Sequence, residues 1–157
     1  MSYSEEFLRE AIRLSKDKME AGEGGPFGAV VVKNGKIVGR GWNRVTSAND
    51  PTAHAEIEAI RDACSKLATF SLNGCEIYAS CEPCPMCLAA IYWARLDALY
   101  FAAMRDDAAA AGFDDALLYE EISKPHMERK LRAEQHLKNE AQQVMNIWIN
   151  KTDKESY

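Results

Sequence analysis

No apolar run in the 157 residues approaches the length needed to cross a membrane. The opening Met1-Ser2-Tyr3-Ser4-Glu5-Glu6 has neither a basic stretch nor an apolar core, so no export signal is read there. Basic residues are outnumbered, 19 Lys and Arg against 24 Asp and Glu, for a formal net charge of -5. A protein that grips a long nucleic acid usually carries a basic stripe, and neither a stripe nor a basic tail is visible. Internal repeats, low-complexity segments and linkers are also lacking. There are five cysteines, but Cys81, Cys84 and Cys87 are bunched. That spacing argues for metal chemistry in a reducing, cytoplasmic compartment rather than for disulfides.

What is there suits one globular domain, 1–157, with 47% hydrophobic and 27% charged residues. Ser4 is placed to cap a first helix whose inner stripe is Phe7, Leu8, Ala11, Ile12, Ser15 and Met19, with Gly22 as its stop. Gly22-Glu23-Gly24-Gly25-Pro26-Phe27-Gly28 lacks the dinucleotide fingerprint spacing and reads as a tight loop. Ala29–Val32 is a buried strand. Asn34-Gly35 is a two-residue hairpin turn, and Ile37–Trp42 returns antiparallel, ending at Asn43. Further strands are read over 75–80 and 98–103, with helices over 51–67 and 85–94. This alternation implies parallel pairing, right-handed crossovers and a three-layer α/β/α sandwich with one antiparallel edge. After Met104 a short helix (106–111), a loop (112–115), a fifth strand (130–137) and a helix (140–151) carrying Ala141, Val144, Ile147 and Trp148 on one face complete a mixed five-stranded sheet.

Two stretches carry the chemistry. Pro51-Thr52-Ala53-His54-Ala55-Glu56 reads H-x-E, and Cys81-Glu82-Pro83-Cys84-Pro85-Met86-Cys87 contains P-C-x-x-C. One imidazole and two thiolates suit zinc, and three protein ligands leave a tetrahedral position open, as catalytic sites do. Asp50 and Pro51 read as the cap and first position of one helix, and Pro85 opens the other. On a regular helix His54 and Glu56 would point roughly 200° apart, so they can share a target only beyond the helix N-terminus. Two positive helix ends aimed at one point would favour thiolates and a metal-bound hydroxide.

Blander readings stand beside these. Cys81 could close a structural Cys₃His site, although it precedes the helix and need not face its end. The three cysteines also imitate an iron–sulfur run, but Ile91 occupies the place of the fourth. Asparagine after a strand, as at Asn43, is often only a turn residue. Phe27 and Trp93 are more often core than base platforms. Cys64 and Cys75 read as buried thiols, and His126 and His136 as surface residues.

The paired motifs resemble the zinc-dependent nucleobase and nucleotide deaminases. Residues 24–30, 49–56, 82–87, 91–95 and 112–115 narrow the resemblance to the bacterial guanine deaminases of the cytidine-deaminase fold. The cysteine stretch alone is shared with tRNA adenosine deaminases. The resemblance covers nearly the whole chain and departs from the family pattern after Pro125, where 130–139 is more polar.

The resemblance implies a cytidine-deaminase-like fold and one zinc per chain on His54, Cys84 and Cys87. It implies hydrolysis of guanine to xanthine and ammonia, a step of purine catabolism, in which a zinc-bound hydroxide attacks C2 and Glu56 shuttles the proton. Asn43 and Asp115 would hold the base, with Asp115 the acceptor toward guanine's N1–H and amine; the residues themselves leave open which of Asp114 and Asp115 points inward, and most acidic pairs in loops are simply solvated. Phe27, Trp93 and Phe113 would surround it. It further implies a homodimer in which segment 130–157 is swapped and Tyr157 lies over the neighbour's site, the blander alternative being a segment that folds back on its own chain, with no nucleic acid or membrane as partner. The rival enzyme reading is a tRNA adenosine deaminase or another nucleobase deaminase. The rival from another class is a non-catalytic zinc-stabilised interaction module, which leaves Glu56 idle.

Overall fold

In the computed structural model, which describes residues 3–157, the run Gly28–Lys33 forms β1 and its alternate side chains enter two different cores. Ala29 and Val31 belong to one, and Val30 and Val32 to the other. β1 pairs antiparallel with β2 (Lys36–Trp42) across Asn34-Gly35, both at positive φ (51° and 70°). Asparagine and glycine tolerate that conformation, so the hairpin forms as expected. β3 (Cys75–Cys81) lies on the other side of β1, antiparallel to it, and β4 (Ala98–Ala103) pairs parallel with β3.

The sheet order is β2-β1-β3-β4, which corrects two expectations. There are four strands among the described residues, not five. The strand that runs against its neighbours is the interior β1 rather than an edge, because the connection from β2 to β3 passes over β1.

Helix α1 (Glu5–Glu20) covers one face, where Phe7 and Leu14 pack with Val30, Val32 and Tyr78. Its buried stripe is Phe7, Ala11 and Leu14, while Ile12 and Met19 are exposed, so the stripe is rotated from the expected one. Helices α2 (Val45–Ala48), α3 (Ala55–Leu67) and α4 (Pro85–Trp93) follow β2 and β3 in the chain. The second face carries α3 and α4, whose Ala55, Ala59, Ala63 and Ile91 pack with Ala29, Val31, Ile77 and Ala79. The three-layer α/β/α arrangement is the one expected.

The descent of α3 onto β2 depends on glycine. A Cβ at Gly41 would stand 2.1 Å from the Ala55 carbonyl oxygen, and one at Gly39 2.4 Å from that of Ala59. With alanines facing glycines, the helix backbone rests directly on the strand.

Helix α3 begins at Ala55 rather than Pro51. Asp50 spends its side chain on an Asx turn, accepting from the Thr52 N–H at 2.8 Å and the Thr52 hydroxyl at 2.7 Å, so 51–54 stays non-helical. Helix α5 (Arg105–Ala110) follows β4.

Residues through Asp115 form one compact unit, and Ala116–Tyr157 form another. The second contains α6 (Ala116–Ile122), which the sequence reading did not include, a 3₁₀ turn (His126–Glu128) and α7 (Lys138–Asn150). The strand expected over 130–137 is absent. Its polar groups bond locally instead: the Lys130 N–H to Glu121 Oε2 at 2.6 Å, Arg132 to Glu134, and Glu134 with His136. The expected apolar face of α7 exists, with Val144, Ile147 and Trp148 exposed. Among the described residues no helix is long and apolar enough to cross a membrane.

Candidate active site

β2 and β3 both run against β1, and β4 runs with β3, so the carboxyl ends of β2, β3 and β4 share one border of the sheet with the start of β1. Ligands of open α/β sheets bind beyond such a border. The chain leaves β3 at Cys81 and turns through Glu82-Pro83 to Cys84, the N-cap of α4, with Pro85 at its first position. His54 is the N-cap of α3, and Glu56 sits in that helix's first turn. Both helices therefore begin at the border, with their N–H ends toward it.

There, His54 Nδ1 lies 3.6 Å from Cys84 Sγ and 3.5 Å from Cys87 Sγ. All three ligand atoms fall within 4.8 Å of one another. Tetrahedral zinc with ordinary Zn–N and Zn–S bonds separates nitrogen from sulfur by about 3.6 Å. The donor set and its spacing fit zinc.

The two sulfurs are unequal in acidity. A hydrogen bond from the Cys87 thiol, with help from His54, draws Cys84 down to about 4 against the opposing effect of burial. The thiolate so formed, with burial, pushes Cys87 upward. His54 is raised by its contact with Cys84.

Glu56 is 7% exposed. Burial raises its carboxyl above the usual range, partly offset by its own backbone N–H and by the Cys87 thiol. Cys81 is not part of the set among the described residues. Its thiol faces the Met104 carbonyl oxygen at 3.7 Å, and burial pushes it up to about 11.

The other expected site residues divide. Asn43 is 8% exposed. Its Oδ1 accepts the N–H groups of Gly25 and Val45, each at 3.2 Å, and its own N–H donates to the Phe27 carbonyl at 3.1 Å. Phe27 and Phe113 meet edge to face, with centroids 4.9 Å apart.

Asp115 is half-buried and Asp114 is exposed. Burial raises the Asp115 carboxyl against the opposing charge of Arg105. Trp93, 64% exposed, ends α4, about 9 Å along the axis from Cys87. Tyr157 belongs to the second unit and is exposed. Cys75 is buried, Cys64 half-buried, and His126 and His136 are exposed.

A cleft of about 340 Å³ between α1 and α5 shares Phe27 and Cys81 with the border but contains none of His54, Glu56, Cys84 or Cys87. Sequence reasoning missed Ser80, whose hydroxyl accepts the Gly28 N–H at 3.0 Å, and the pairing of Glu23 with Trp42. Both join residues distant in the chain, and no local pattern announces them.

Residues 1–103 match the family model described as the cytidine and deoxycytidylate deaminase zinc-binding region. The chain is 51% identical over 153 residues to the guanine deaminase of Bacillus subtilis, covering 98% of each. It is 35% identical over 147 residues to a tRNA-specific adenosine deaminase of Aquifex aeolicus, covering 94% of each. The crystal structure of the Bacillus subtilis guanine deaminase superimposes with a TM-score of 0.96 at 50% identity over 99% of both chains.

Proposed function

The chain belongs to the cytidine and deoxycytidylate deaminase zinc-binding family, and we propose that within it the protein is a guanine deaminase, converting guanine and water to xanthine and ammonia. The observation that carries this reading is the convergence of His54, Cys84 and Cys87 at zinc spacing, with the buried Glu56 beside them, in a chain whose likeness to a guanine deaminase runs almost end to end.

His54, Cys84 and Cys87 would hold the zinc, which would supply a Lewis acid that lowers the pKa of a water molecule. Glu56 takes a proton from the water that adds to C2, carries it to ring N3, and helps protonate the departing amine. A carboxyl raised by burial suits both the taking and the giving.

The half-buried Asp115 accepts from guanine's N1–H and amine. Adenine lacks the N1–H and would leave that carboxylate mismatched. Asn43 holds its oxygen against two backbone donors, which leaves Nδ2 to donate to an acceptor of the base. Phe27 and Phe113 offer their rings to the purine.

The reading extends to a cytoplasmic homodimer acting in purine catabolism, with segment 130–157 exchanged and Tyr157 of the partner subunit over the base. The exposed Val144, Ile147 and Trp148 support this, since a continuous apolar face on a helix calls for cover. Free guanine, not nucleic acid, is the substrate; a formal charge of -5 disfavours phosphate-rich partners. Ammonia release from a panel of free bases, nucleosides and tRNA tests the reading. Release from guanine supports it. Release from tRNA alone, or from nothing, refutes it.

A further inference from the structure

Around Asn43 the chain builds a holder that ties together three elements. Trp42, the last residue of β2, donates its indole N–H to Glu23 Oε2 on the loop after α1. The ammonium of Lys18, on α1, lies 3.5 Å from Glu23 Oε1 and 4.1 Å from the centre of the Trp42 ring. The main chain of Glu23 is fixed as well. Its N–H donates to the Lys18 carbonyl at 3.0 Å, and its carbonyl accepts from the Ser47 hydroxyl, on α2, at 2.7 Å.

The next two residues, Gly24 and Gly25, lie against Asn43. A Cβ at Gly24 would come within 2.1 Å of the Asn43 carbonyl oxygen and 2.6 Å of its Oδ1. The Gly25 N–H then reaches Oδ1 at 3.2 Å, opposite the N–H of Val45. A flipped amide would set its NH₂ against two N–H donors, so this arrangement fixes which end of the Asn43 amide is the oxygen and leaves Nδ2 as the donor. A loop with two adjacent glycines has much backbone freedom to lose, and it holds this geometry only if it is pinned.

We propose that Glu23 and Trp42 are positioning residues for purine recognition: their bond holds the Gly24-Gly25 peptide against Asn43 and so orients its Nδ2 toward the base. The inference rests on the reading that Asn43 binds the purine. Neither Glu23 nor Trp42 touches the reacting atoms, so their loss weakens base binding while proton transfer by Glu56 is spared. That pattern is a higher KM with little change in kcat.

The test is steady-state guanine turnover by zinc-loaded full-length variants, with melting temperatures recorded alongside. Trp42→Phe and Glu23→Ala should each raise KM about tenfold and leave kcat within about twofold. Glu23→Gln, which keeps an oxygen acceptor for the indole, should remain close to the parent protein. Asn43→Ala should raise KM at least as far, and adding Trp42→Phe to it should change KM by less than about twofold, because the two act through one amide.

A parental KM in Trp42→Phe and Glu23→Ala overturns the proposal while leaving the role of Asn43 intact. So does a further, independent tenfold loss in the double variant, or a Glu23→Gln as damaging as Glu23→Ala. A parental KM in Asn43→Ala overturns both the reading of Asn43 and the proposal. A lowered melting temperature with unchanged KM assigns the pair a purely structural role and overturns the proposal as well.

Discussion

His54 Nδ1 lies 3.5 Å from Cys87 Sγ, although 33 residues and a complete strand separate them in the chain. Two helix starts create that proximity. One is held at the border by the alanine-on-glycine contact of α3 with β2, and the other by the exit of β3.

The metal set should tolerate loss of Cys81 and not of Cys87. Cys81→Ala removes a thiol directed at the Met104 carbonyl, so about one zinc per chain should remain by elemental analysis. Cys87→Ala should lose most of it. Loss of zinc from Cys81→Ala would point to a closed four-ligand site.

Glu56→Gln keeps the shape of the side chain but cannot shuttle protons. Guanine turnover should fall by at least about 10²–10⁴-fold, with folding and zinc content unchanged. Turnover near the parent's would exclude Glu56 from the proton path.

Asp115→Asn exchanges an obligate acceptor for an amide that can present a donor to guanine's donors. Turnover should fall on the order of 100-fold, with little change in melting temperature. Asp114→Asn, at an exposed position, should be close to silent. The reverse pattern would move the base contact to Asp114.

Gly41→Ala should be costly although Gly41 itself offers no ligand. The added Cβ would meet the Ala55 carbonyl, a backbone atom that can move only with the helix start and with His54. A loss of about 3 kcal/mol is expected, with weakened zinc retention. Denaturant titration and zinc analysis of the same preparation check both. Parental stability would mean that α3 can shift freely.

Much of this was legible in the chain. Asn34-Gly35 marks its hairpin because both residues accept positive φ, and H-x-E with P-C-x-x-C marks the site because few other arrangements employ those donors together. Other features depended on competition that local patterns do not record. Asp50 could cap a helix at Pro51 or turn back on Thr52; the turn prevailed and moved the helix start to Ala55. Residues 130–137 could have extended the sheet, but Lys130, Arg132 and His136 found local carboxylates. The contact of Glu23 with Trp42 spans 19 residues and two elements, beyond the reach of any periodicity.

Subunit exchange can be examined by deleting residues 152–157 and mixing that protein with full-length Glu56→Gln. If Tyr157 closes the site of the neighbouring subunit, mixed dimers regain guanine turnover, because the intact tail covers the truncated subunit's working site. No recovery, with exchange demonstrated, would confine the tail to its own chain.

The most direct test of the central claim, that guanine is hydrolysed at the site of His54, Cys84 and Cys87, is xanthine and ammonia formation before and after metal removal. The chelated protein should lose guanine turnover and regain it when about one equivalent of zinc per chain is restored, with the two products formed in equal amounts. Undiminished turnover by protein shown to be metal-free, or zinc-loaded protein that leaves guanine unchanged, would contradict the account.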